Sequence, residues 1–71
     1  MKTYKIYCNE GERAEVMRIL RKYSDVIINN VDSQGFVVTI QTPHADAFYE
    51  RLMDEIGREV FRYRREYHSR P

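Results

Sequence analysis

The chain has 71 residues, a 42% hydrophobic and 32% charged composition, and a formal net charge of +1. That size is one domain, and the charge is too balanced for binding duplex DNA by bulk electrostatics. A single Cys excludes an internal disulfide and a four-thiolate zinc site, and no run of 18 apolar residues exists to form a membrane helix.

Residues 2–8 alternate, with Tyr4, Ile6 and Cys8 on one side and Thr3, Lys5 and Tyr7 on the other, which predicts a strand with one face in the core. This pattern starts directly after Met1, without the apolar stretch of a signal peptide, and with the lone Cys it fits a cytoplasmic setting. Asn9 stands as an N-cap, with Glu12 three residues on as its capping-box partner. A helix is predicted over 10–23, burying Val16, Ile19, Leu20 and Tyr23, with Met17 flanking.

Residues 26–31 form a β-branched run broken by Asn29 and Asn30, and 35–42 form another strand. Asp32-Ser33-Gln34-Gly35 between them suits a type I turn closed by a left-handed Gly, so the two strands are predicted to make a hairpin. Thr42-Pro43 suits a helix start, with Thr as N-cap and Pro at the first helical position. The helix carries Ala45, Phe48, Tyr49, Leu52, Met53 and Ile56 on one stripe, and Gly57 is placed to cap its end.

Residues 58–67 fit two descriptions. As a strand they set Phe61, Tyr63 and Tyr67 against Val60, Arg62 and Arg64; as a continued helix they extend the stripe through Val60 and Tyr63. The β-propensity of Val, Phe and Tyr, and the cost of about 1 kcal/mol for Gly inside a helix, favour the strand. The expected fold is then an α+β, two-layer, ferredoxin-like β-α-β-β-α-β sandwich over 1–67, with 68–71 a frayed tail. The first and third strands are expected at its centre and the second and fourth at its edges. The alternative is β-α-β-β-α, a three-stranded sheet with a long C-terminal helix.

No constellation points to catalysis, a cofactor or a metal. Cys8 and Arg13 are separated by four residues, one short of the phosphate loop of cysteine phosphatases, and Glu10 and Glu12 would repel a phosphate. His44 and His68 lack a metal-ligand partner at helical spacing. The carboxylates Glu15, Glu50, Asp54 and Glu55 fall on helix exteriors, where Asp54 can pair with Arg58.

The face of the sheet left open by the helices is the candidate site. Parity places Lys5, Tyr7, Val37 and Thr39 there, and the last segment adds either Arg62 and Arg64, or Phe61, Tyr63 and Arg65. Residues 58–70 hold five Arg against two Glu, the chain's one basic concentration. The expectation is a non-catalytic interaction or regulatory module that presents this face to a protein partner or a second copy of itself, Tyr supplying area and Arg pairing with carboxylates. The alternative is a single-stranded RNA binder that stacks bases on the aromatics and pairs phosphates with Arg. RNA-recognition domains share the expected fold, but residues 34–40 keep only Gly-Phe of their third-strand motif.

Overall fold

The computed structural model describes residues 1–64. Strand β1 spans Lys2–Tyr7, β2 Val26–Asp32 and β3 Gly35–Ile40; helix α1 spans Arg13–Leu20 and α2 Ala45–Glu59. Short 3-10 turns over Glu10–Glu12 and Phe61–Tyr63 precede α1 and follow α2. The three strands make one antiparallel sheet in the order β1-β3-β2. Among the described residues β3 is therefore the central strand, and β1 is an edge rather than a second central strand.

The helices cover one face of this sheet, because the alternating apolar positions of the strands have to be taken from water. Ile6, Phe36, Val38 and Ile40 from the sheet close with Val16, Ile19 and Leu20 from α1 and with Leu52 and Ile56 from α2 into one core. Tyr4 and Tyr49 stack at 4.1 Å beside it, and Tyr23 meets Phe48 edge to face at 5.5 Å.

The capping sequence is realised at the first helix. The Asn9 backbone N–H donates to Glu12 Oε1 at 2.8 Å. The chain enters α1 through a 3-10 turn, so the predicted helix over 10–23 is regular only from Arg13 to Leu20. The hairpin also forms as expected. Asp32 Oδ1 accepts from the N–H of Gln34 (2.8 Å) and of Gly35 (3.1 Å), and Gly35 has a φ of 145°. A Cβ at Gly35 would lie 1.9 Å from the carbonyl oxygen of Ile6, so β1 approaches β3 there only because no side chain intervenes.

The second helix departs from expectation at both ends. It begins at Ala45, after His44 donates its N–H to Thr42 Oγ1 (3.4 Å), rather than at Pro43. It continues past Gly57, which is buried within its last turn and does not cap it. The Val60 N–H bonds to the Ile56 carbonyl at 2.8 Å, and Val60 and Phe61 are buried in the core. Burying two such side chains stabilises by about 1.5–3 kcal/mol each, which outweighs about 1 kcal/mol for a helical Gly.

Residues 58–64 are consequently the end of α2, a 3-10 turn and one extended residue, Arg64, and not the expected strand. Over the described residues the structure is α+β with a three-stranded sheet and two helices. Residues 65–71, which include Arg65, Tyr67 and the expected tail, lie outside the described residues.

Candidate interaction surface

Pairing register decides which side chains share the uncovered face of the sheet. Lys5 stands opposite Val37 and Tyr7 opposite Gly35; across β3, Ile27 stands opposite Thr39 and Asn30 opposite Val37. Successive residues alternate faces, so Thr3, Lys5, Tyr7, Ile27, Asn30, Val37 and Thr39 all lie opposite to the buried Ile6, Phe36, Val38 and Ile40. Lys5, Tyr7, Val37 and Thr39 are thus placed where sequence parity put them.

The centre of this face is half-buried Val37, framed by Tyr7 at 63% exposure and Ile27 at 41%. Thr39 Oγ1 lies 3.1 Å from Thr3 Oγ1 and accepts from Asn29 Nδ2 at 2.6 Å, a short polar ladder across all three strands. Lys5 Nζ bonds Asp32 Oδ2 at 3.0 Å and sits 5.7 Å from the Tyr7 ring centre. The Lys5 bond, followed by the Gln34 N–H, holds the Asp32 carboxyl below the usual carboxylate range. Cation and anion cancel, so this part of the surface is neutral and partly apolar.

The last segment does not join it. Phe61 is 8% exposed and belongs to the core, while Tyr63, 73% exposed, lies on the 3-10 turn with Arg62 4.9 Å from its ring. Arg64 turns to the start of α1: its Nε donates to Glu12 Oε2 at 2.6 Å and its Nη2 to Glu12 Oε1. The same Nη2 reaches the Tyr7 carbonyl at 3.4 Å, and the guanidinium lies 3.7 Å from the Phe61 ring centre. The aromatic and Arg set expected on the sheet is therefore split between core, turn and helix start. Sequence reasoning saw Glu12 as a cap and Arg64 as a surface cation; a pairing 52 residues apart leaves no local pattern. Arg65 lies outside the described residues.

A cleft of about 260 Å³ between α2 and the turn that follows α1 is lined by Tyr23, Phe48, Arg51, Leu52, Glu55 and Arg58. Its carboxylate Glu55 is held below the usual range by Lys22 and then by the Tyr23 hydroxyl, both of which bond to it. Burial, with Glu12 nearby, pushes the Cys8 thiol up, away from a reactive thiolate. Among the described residues no three His, Cys, Asp or Glu come together to hold a metal, and no helix is long and apolar enough to cross a membrane.

Comparison with protein families, with curated protein sequences and with solved structures finds no match to this chain.

Proposed function

We propose that the chain is a small non-catalytic interaction module that receives a protein partner on the uncovered face of its sheet, around Val37. The observation that carries this is the neutral, partly apolar character of that face: half-buried Val37 flanked by exposed Ile27 and Tyr7, beside a Lys5–Asp32 pair that already satisfies its own charges. A sheet clad on one side only gains stability when its bare side is buried, and a 71-residue domain has little core to spare. Tyr7 supplies the amphipathic ring typical of interface anchors.

The architecture that this reading rests on is the six-element ferredoxin-like pattern with its fourth strand left out. The order β1-β3-β2 with both helices on one face supports it. Single-stranded RNA is the less favoured partner. Among the described residues Lys5 is neutralised by Asp32 and Arg64 is engaged by Glu12, which leaves little cationic surface there beside Tyr7.

The test is a comparison of wild type with Val37→Lys, which places a charge at the centre of the face without touching the core. Co-purifying partners that bind wild type and are lost with the variant support the proposal. Partners retained equally by both, or a labelled RNA oligonucleotide bound with steep salt dependence, count against it.

A further inference from the structure

The two edges of the sheet are not equivalent, and the difference follows from the hydrogen-bond alternation. The Cys8 N–H donates to the Gln34 carbonyl at 3.0 Å, one step beyond the Tyr7–Gly35 pair. Even-numbered β1 residues therefore exchange bonds with β3, and Thr3, Lys5 and Tyr7 turn their N–H and C=O groups to the outer edge. Arg64 Nη2 reaches the Tyr7 carbonyl from that side. No described strand pairs with this edge. Edge β2, by contrast, slips register between Ile28 and Asn30, a bulge of the kind that blunts an edge against further pairing.

Strand β1 pairs with β3 over six residues without a register shift, and the lysines that would guard its edge are both in ion pairs. Lys2 bonds Asp46 at 2.9 Å and Lys5 bonds Asp32 at 3.0 Å. Its side chains alternate between the half-buried and buried Tyr4 and Ile6 on the helix side and Thr3, Lys5 and Tyr7 on the open side. An added strand has to show that same alternation to continue both layers, and β1 itself does.

We infer that the outer edge of β1 pairs antiparallel with β1 of a second copy, with Thr3 facing Lys5 of the partner subunit and Tyr4 facing Tyr4 of the partner subunit. The register is selected by charge and by Arg64. Moving it by one step of the ladder toward the C-terminus sets Lys5 against Lys5 of the partner subunit and Tyr7 against Thr3 of the partner subunit, so the paired strand also competes with Arg64 for the Tyr7 carbonyl. In the chosen register Thr3 and Lys5 exchange four backbone bonds across the two-fold axis. Tyr4 meets its counterpart in a pair without hydrogen bonds, where side chains approach most closely. Each Tyr4 is already stacked on Tyr49, so four rings gather at the axis. The place that the six-element pattern gives to a fourth strand is filled by the second copy. This contact uses the edge of the sheet and is separate from the face around Val37.

Sedimentation of the full chain over a concentration series tests it, with three variants. Backbone N-methylation of Lys5, introduced by chemical synthesis, deletes one outward N–H and leaves every side chain in place. Thr3→Pro deletes another, at a position whose N–H is not used by β3. The expected result is a wild-type dimer at micromolar concentration, weakened about tenfold or more by N-methyl-Lys5 and by Thr3→Pro, and unaffected by Val37→Lys. Should Thr3→Pro fail to fold by circular dichroism, N-methyl-Lys5 decides alone. A wild type that stays monomeric at millimolar concentration overturns the inference, including the case where the chain covers its own edge and the Lys5 amide is protected from exchange. A dimer broken by Val37→Lys and indifferent to N-methyl-Lys5 also overturns it, and assigns self-association to the open face.

Discussion

Strands β1 and β2 flank the same central strand, are six and seven residues long, and both carry β-branched or aromatic residues at alternate positions. Their environments differ. On β1 the core side runs from half-buried Tyr4 to fully buried Ile6, and the strand is fixed near each end, by Lys2 and Tyr4 on Asp46 and by Arg64 at the Tyr7 carbonyl. On β2 the core side runs from half-buried Val26 and Ile28 to exposed Val31, with a bulge in between. Two strands with similar patterns are held differently because the helices and their ion pairs reach one more fully than the other. The firmly covered strand keeps one register along its length; the loosely covered one carries a bulge.

The sharpest way to break this contrast is to remove matched side chains from the two strands. Ile6 is fully buried, so Ile6→Ala is expected to lose about 2–5 kcal/mol of unfolding free energy, from lost burial plus the cavity left behind. Val31 sits opposite Phe36 on the same side of the sheet but is 38% exposed, and Val31→Ala is expected to lose only about 1 kcal/mol or less. Urea unfolding of both variants measures the gap. Equal losses would mean that β2 is packed as firmly as β1 and that the contrast is false.

A smaller effect is expected where β1 meets the Arg64–Glu12 pair. Both side chains are mostly buried. The bond from Arg64, against the opposing push of burial and with help from the Asn9 N–H, holds the Glu12 carboxyl below the usual range. A carboxyl depressed in the folded state adds stability above its unfolded pKa, about 4.3 for Glu, and loses that contribution as pH falls through the folded value. Glu12→Gln keeps the shape and is expected to cost about 1–3 kcal/mol at pH 7. It should also make the loss of stability below about pH 4 shallower than in wild type, without abolishing it. Asp32, Asp46 and Glu55 are also held low and contribute to the same acid limb. Unfolding midpoints measured from pH 7 to pH 2 follow both effects; an unchanged acid slope in the variant would detach Glu12 from the pinning of β1.

What the sequence made legible was whatever depends on neighbours along the chain. Alternation at 2–8 and 35–42 placed Lys5, Tyr7, Val37 and Thr39 on one face; the Asp32-to-Gly35 turn placed the hairpin; Asn9 and Glu12 placed the start of the first helix. Asp54 and Arg58, four apart, pair at 3.1 Å as helical spacing implied. What failed was decided by distant packing. Local propensity favoured a strand after Gly57, but the core had room for Val60 and Phe61, and their burial carried the helix onward. The Arg64–Glu12 pair and the Tyr4–Tyr49 stack join residues far apart in sequence, and no periodicity announces such a meeting.

The Asn29-Asn30 interruption is an intermediate case, and it yields the smallest expected effect. In the sequence it was a break in a β-branched run; in the structure it is the site of the register slip that bends β2. The bulge is fixed by what lies on either side of it. Val26 through Ile28 follow one register with β3, and Asn30 through Asp32, tied to the turn by Asp32 Oδ1, follow another. One residue is left over whatever its identity. The Asn29 side chain adds a bond to Thr39 Oγ1 at 2.6 Å on the open face, where water can replace it. Asn29→Ala is therefore expected to cost only about 0.5–1 kcal/mol and to leave the bulge in place. Amide exchange then still shows the two flanking registers, with Ile27 and Asn30 protected by β3. A loss several times larger, or a strand re-registered through Ile28, would show that the Asn side chain itself makes the bulge, and that the difference between the two edges of the sheet hangs on one residue.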